Sequence, residues 1–344
     1  MKHWWSVLCA MLVGLNGLLC MPQAMADVIG MVTGSKAGTY FEFGQEIATL
    51  AGKAGVAILV KESEGSIDNL RRLASSENAA FGIVQSDVLG FVNRMNDQET
   101  RHLAARLRLI FPFYNEEVHL LARKEIQRFE DLAGKRVVVG TRGSGNWLTS
   151  NNLLLMVNVR PAERIELSPP EAFIAVLQGR ADAMFYVAGK PVKLFTTLGE
   201  LQKDPEYDRL GQGIHFVPLT HERMLREYVA STIGSDDYAW VETMIPTVAV
   251  KAVLVSFDFS AKNTPYYRQR CQQLSILGKE IRANFPELQR TGHPKWKEVN
   301  LNEELGIWKR DTCSQLRPRG GEIEKEDDLL KALKEGLRGK GQAR

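Results

Sequence analysis

The chain is 344 residues long, 44% hydrophobic and 25% charged, with a formal net charge of +3. Its 44 basic and 41 acidic residues nearly balance and are scattered, so nothing in the charge calls for a nucleic acid or an anionic membrane as partner. The length suffices for two domains of ordinary size, each with its own core.

The first 26 residues have the pattern of a secretory signal peptide. Lys2 and His3 give a short basic start, Val7 to Leu19 is apolar, and Ala24-Met25-Ala26 offers a small-x-small cleavage site. As a membrane anchor the run is short of the ~20 apolar residues that cross a bilayer, and no second stretch reaches that length. A lipid on Cys20 is disfavoured because Leu19 precedes it where a small residue is expected. The expected product begins at Asp27 and is soluble and periplasmic. Cleavage removes Cys9 and Cys20, leaving Cys271 and Cys313. These two either pair or remain buried thiols, and an oxidising compartment favours the disulfide. No Cys-x-x-Cys is present for redox chemistry.

Along the mature chain, strands feed helices. Val28 to Thr33 reads as a strand, followed by an amphipathic helix over Tyr40 to Lys53 with Phe43, Ile47 and Leu50 on one face. Thr39-x-x-Glu42 has the spacing of a capping box, and Ser66 is placed to cap a second helix after a strand at Ala57 to Lys61. A third strand, Phe81 to Gln85, runs into Ser86-Asp87 and another helix. Leu107 to Phe113 and Val118 to Arg123 read as two strands parted by the polar Tyr114 to Glu117. Then follow a strand at Arg136 to Gly140, a glycine-rich turn, and a helix from about Asn146. Ser168-Pro169-Pro170-Glu171 is a capping box with proline at the first helical position. The helix it opens stops at Gly179, before a strand at Ala183 to Val187. Later signals are a strand over Val248 to Phe257 and a helix over Tyr266 to Phe285. From Leu316 the chain is basic, glycine-rich and then strongly charged, with Leu330, Leu333 and Leu337 as a weak helical stripe on what reads as a solvated tail. The alternation predicts an α/β fold of mainly parallel sheets with helices on both faces.

In such sheets ligands bind beyond the carboxyl ends of the strands, where the free N–H groups of helix N-termini point. Four junctions carry small or polar residues suited to this: 33–40, 64–69, 85–87 and 141–147. Enzyme signatures fail by comparison. Gly34-Ser35-Lys36 lacks both the glycine spacing of a phosphate loop and the hydroxyl residue after its lysine. Gly140-x-x-Gly143-x-Gly145 inverts the dinucleotide fingerprint. The six histidines contain no pair at the helical spacing of a zinc protease, and Gly143-Ser144-Gly145 is too short for a nucleophile elbow. Glu116-Glu117 reads as solvated surface. No catalytic residue, cofactor or metal is implied, and binding is expected in place of turnover.

These same junctions carry a family resemblance. TGSKAGTYFEFGQEIA (33–48), ESEGSIDNLRRL (62–73), FGIVQSDV (81–88), DLAGKRVVVGTRGSGNWLT (131–149), GRADAMFYVAGKP (179–191) and GHPKWKEV (292–299) resemble, in order, the TAXI class of solute-binding proteins. That class serves tripartite ATP-independent periplasmic (TRAP) transporters. The resemblance covers most of residues 28–300 and implies a two-lobed, type II-like periplasmic-binding clamshell that works as a monomer with a membrane permease. It implies a first lobe from 27–115 plus 235–316, a second from 116–234, and a tail at 317–344. The first crossing is expected near Pro112 to Val118 and the return between Thr220 and Val250. The implied pocket draws on Ser35, Thr39, Tyr40, Ser66, Gln85 and Asp87 from one lobe and Ser144, Gly145, Asn146 and Trp147 from the other. Tyr40-Phe41-Glu42 departs from the class's tyrosine pair followed by proline, and Arg142 and Trp147 are particular to this chain. With helix N-termini and an inward Arg142, the expected ligand is a small carboxylate or acidic amino acid. Alternatively, Arg142 is a solvated loop residue. An ATP-driven importer subunit or a periplasmic sensor would share the same fold.

Overall fold

The computed structural model describes residues 28–315 apart from 37, 76–78, 95–97, 202, 205–208 and 210; the leader and the charged tail lie outside the described residues. In chain order the first elements are β1 (Ile29–Val32), α1 (Thr39–Lys53), β2 (Ile58–Lys61), α2 (Ser66–Ala74), β3 (Ala79–Gln85), α3 (Val88–Arg94) and α4 (Gln98–Ala105). The three strands are parallel, with β1 between the others. This follows from the sequence pattern, since a helix returning the chain to the same sheet edge makes consecutive strands parallel. Phe43, Ile47 and Leu50, at helical spacing on α1, all face the core.

Next comes β4 (Leu107–Arg123), a single strand of 17 residues where two were expected. The polar stretch does not part it, because backbone pairing to the long strand β10 (Ile245–Phe257) runs past Asn115, Glu116 and Glu117. A register shift between Lys251 and Val253 accommodates Pro112, which has no N–H to give the ladder. Between β4 and β10 lie β5 (Arg136–Val138), α5 (Gly145–Val157), β6 (Glu163–Ile165), α6 (Pro169–Leu177), β7 (Ala183–Ala188), α7 (Lys193–Leu201), β8 (Ile214–Phe216), the short helix Glu222–Glu227 and β9 (Val229–Ile233). Helices Pro265–Ala283 and Phe285–Thr291 follow β10; the single helix expected over Tyr266 to Phe285 is broken before Pro286.

The ten strands of the described residues form one mixed sheet, ordered β2-β1-β3-β10-β4-β7-β5-β6 with β8 and β9 on the flanks. β4 and β10 run through both lobes, and their side chains feed one core after another. On β10, Val248 and Val250 pack with Leu120, Phe129 and Phe185 of the second lobe. Two residues on, Ala252 and Leu254 join Phe43, Phe81 and Trp296, while Val253 and Val255 join Leu70, Phe91 and Trp308 on the opposite face. That alternation is the two-residue period of a strand covered on both sides. The second lobe has its own opposite-face core around Phe173, Phe195, Phe216 and Tyr238. Tyr238 and Val241, beyond β9, pack in that same core.

Two caps differ from their sequence reading. Gly38 occupies the N-cap of α1 with Thr39 already helical, and Glu42 turns its carboxylate to His293 Nε2 at 3.4 Å. Gly65 precedes α2, and the Ser66 hydroxyl accepts from the Gln85 N–H at 3.0 Å. The Ser168–Glu171 capping box forms as expected. Cys271 and Cys313 are joined, with Sγ–Sγ 2.04 Å, fastening the end of the described chain to the helix Pro265–Ala283.

Candidate functional site

A cleft of about 510 Å³ lies between the lobes, at the carboxyl ends of β1, β3 and β7. One wall comes from the β1–α1 and β2–α2 turns, the other from the start of α5 and the β7–α7 turn, and the middle of β4 supplies the floor. The turns reach the cleft because small residues allow it. Gly65, at φ +118, would place a Cβ 3.1 Å from the Gly145 nitrogen of the opposite lobe, so both backbones approach each other directly.

Seven of the residues singled out from sequence come together here: Ser35, Thr39, Tyr40, Ser66, Gln85, Gly145 and Asn146. The Asn146 amide is held by β7, accepting from Val187 N–H at 3.1 Å and donating to Phe185 C=O at 3.0 Å. Gln85 spans the lobes, its Oε1 accepting from the Thr149 hydroxyl at 3.0 Å while its Nε2 donates to Glu116 at 3.2 Å.

The other four lie elsewhere. The Ser144 hydroxyl caps α5, accepting from Trp147 N–H at 3.0 Å and donating to Thr141 C=O at 2.7 Å. Trp147 packs edge-on against Phe91, under the guanidinium of Arg142. Arg142 does not turn inward: its side chain is 73% exposed and pairs with Glu166 at 2.7 Å. The inward reading fails because Glu166, at the end of the neighbouring strand, offers a carboxylate on the outer side. Asp87 sits behind the cleft, bordering a second cavity of about 550 Å³ with Tyr228, Lys251 and Trp308.

Sequence reasoning missed the acid at the centre. Glu116 and Glu117 are not solvated surface; they are 8% and 3% exposed. The unbroken β character on both sides of the pair was the available signal, since an acidic residue inside a two-sided strand must be buried on one face or the other. Glu116 Oε2 accepts from the Tyr40 hydroxyl at 2.8 Å as well as from Gln85. Burial pushes its carboxyl up to about 7; Tyr40 and Gln85 oppose this, and the nearby carboxylates of Glu117 and Asp87 add to it. The Tyr40 hydroxyl moves up as well, chiefly through burial and then through Glu116. Tyr114 and Tyr186 also line the cleft and were not singled out. Chemically, the arrangement is a polar chamber with one buried carboxyl, first-turn N–H groups around it, and Lys193 at the rim.

Among the described residues no group of three or more His, Cys, Asp or Glu is placed to hold a metal ion, and no helix is long and apolar enough to cross a membrane. The chain is similar in structure to proteins of low sequence identity. A protein from work on glutathione import through the cystine ABC importer of Streptococcus mutans is 12% identical, with TM-score 0.44, covering 81% of this chain and 98% of that one. The ligand-binding core of GluR0 from Nostoc punctiforme, in complex with L-glutamate, is 16% identical, with TM-score 0.43 and coverage of 76% and 96%. An amino acid ABC transporter substrate-binding protein of Streptococcus pneumoniae, bound to L-arginine, is 14% identical, with TM-score 0.42 and coverage of 79% and 95%. No curated sequence matches significantly. The architecture is a two-lobed α/β clamshell in which one mixed sheet runs through both lobes. Residues 31–266 match the NMT1-like family, and a match over that much of the chain means that the protein belongs to the NMT1-like family.

Proposed function

We propose that this protein is an exported, monomeric receptor that captures a small organic solute between its lobes and delivers it to a membrane permease of the TRAP type. The observation that carries this reading is the cleft itself: polar side chains from both lobes converge on one chamber at the strand ends, so a bound solute would bridge the lobes. Residues 28–115 with 251–315 form the first lobe in this reading, and 116–250 the second. Export follows from the leader and its cleavage after Ala26.

The solute is an amino acid or related organic acid. The first turns of α1, α2 and α5 meet at the cleft, and their free N–H groups and aligned dipoles suit a carboxylate. With Arg142 turned outward, that cradle works without a guanidinium. Mass spectrometry of material released on denaturing the purified protein tests the reading directly. A stoichiometric small carboxylic compound is the expected result, and small-angle scattering should show compaction when it is added back to stripped protein. Failure to recover or rebind any solute would overturn the proposal. Crosslinking to the membrane fraction would distinguish a TRAP permease from an ATP-driven importer.

A further inference from the structure

Glu116 lies in the floor of the cleft with both of its hydrogen-bond donors, the Tyr40 hydroxyl and Gln85 Nε2, on a single oxygen, Oε2. Among the described residues Oε1 accepts nothing, and no lysine, arginine or histidine pairs with this carboxylate. The groups that face it from neighbouring elements are Tyr40 on α1, Asp87 beyond β3, Tyr114 and Glu117 on β4, and Tyr186 on β7, none of which brings positive charge. Of the lysines near the cleft, Lys193 is exposed at its rim, and three others are engaged with other partners. Lys251, beside Glu116's register partner Val250, pairs with Glu303 at 2.8 Å. Lys190 pairs with Asp237 at 3.0 Å and Lys295 with Glu298 at 2.6 Å.

A carboxylate in this position must either carry a proton or receive a cation from outside, because a buried unpaired charge is costly. We infer that Glu116 is the specificity residue of the cleft and receives the ammonium group of an amino-bearing solute on its free oxygen. This rests on the solute-receptor reading and adds the requirement for an amine. The solute that satisfies both ends of the cleft is zwitterionic, with its carboxylate at the helix N-termini and its ammonium at Glu116. A 2-hydroxy acid of the same shape supplies a carboxylate but no cation, and is the natural discriminating probe. Because burial holds the Glu116 carboxyl at about 7, a proton competes with the ammonium, and affinity for the amine should climb as pH rises through that value.

The test is calorimetry on the purified, stripped protein with the twenty L-amino acids and the matching 2-hydroxy acids, between pH 6 and 8. The expected result is an amino acid that binds at least tenfold more tightly than its hydroxy counterpart, with a preference that grows with pH. Glu116→Gln should lose tenfold or more for the amino acid, a far larger loss than for the hydroxy acid, and abolish the pH dependence. Should that variant fold poorly, Glu116→Asp is expected to retain the amine preference with weakened affinity. Equal binding of the two series, or an amino acid whose affinity is indifferent to Glu116→Gln and to pH, would overturn the inference alone. If no compound of either series binds, and no solute is recovered from the native protein, the receptor reading falls with it.

Discussion

The hydroxyl of Tyr228 donates to Oδ2 of Asp87 at 2.7 Å, tying the end of β3 in one lobe to the start of β9 in the other. Asn152 on α5 reaches the same oxygen at 3.5 Å and also donates to the Tyr228 hydroxyl at 2.7 Å. The triad is buried, and burial moves the Asp87 carboxyl up to about 6 despite these donors. The lobes are therefore joined behind the cleft as well as across it.

Tyr228→Phe removes the stronger donor, leaving Asp87 with one long contact on Oδ2 and an Oδ1 that already lacks a partner. Loss of a hydrogen bond to a buried acid costs about 1–3 kcal/mol. Urea denaturation of the variant should show a loss in that range at neutral pH. An unchanged midpoint would mean that the contact is idle.

The buried Glu116 carboxyl sets a pH dependence of stability. Its value in the folded protein, about 7, lies above that of an unfolded glutamate, so its contribution is fully present below about 4.3 and is lost as pH rises through 7. His119 runs the other way: burial lowers it to about 4, and its contribution is lost as pH falls. The comparison that isolates Glu116 is wild type against Glu116→Gln. The wild type should lose stability relative to the variant between pH 4.5 and 8, by on the order of 3 kcal/mol. Parallel stability curves would contradict it.

Gly145→Ala should impair closure. A Cβ there would lie 2.5 Å from Gln85 Oε1 and 2.6 Å from its Cδ, forcing the amide away from both Thr149 and Glu116. Solute affinity should fall at least tenfold, equivalent to about 1.4 kcal/mol, with a larger radius of gyration at saturating solute. Wild-type affinity in the variant would show that the close approach is dispensable.

Arg142→Ala should leave solute binding within about 0.5 kcal/mol of wild type, as for an ordinary surface substitution. An inward arginine would have cost several times more, as expected for a desolvated ion pair with the ligand. Titration calorimetry separates the two outcomes.

Reducing the Cys271–Cys313 bridge opens a loop with a sequence separation of 42. The chain-entropy argument gives about 4 kcal/mol for that length. Thermal unfolding with and without reductant should differ accordingly, and the unreduced, denatured protein should expose no thiol from this pair.

How far the sequence speaks depends on the range of the interaction that decides each feature. Periodicity and turn chemistry are local, so the strand–helix alternation, the apolar face of α1 and the Ser168–Glu171 cap could be read from consecutive residues. The glycine and hydroxyl residues that bring Ser35, Thr39, Ser66 and Gly145 to the cleft lie in short junctions with the same legibility. Even local signals failed where a nearby alternative competed: Thr39 lost the cap to Gly38, and Ser66 turned its hydroxyl to β3.

What only the tertiary structure decided was the environment of the charged residues. Arg142 faces out because Glu166 waits there, just past the end of β6 and 24 positions along the chain. Glu116 is buried because β10, more than a hundred residues later, pairs past it and carries both lobes' cores across the boundary. The sequence by itself determined the alternating α/β pattern and the loops that make a cleft, since those follow from backbone sterics and hydrophobic period. Which charge stands inside that cleft was decided by long-range packing, because the cost of burying a charge depends on neighbours that only the folded chain assembles.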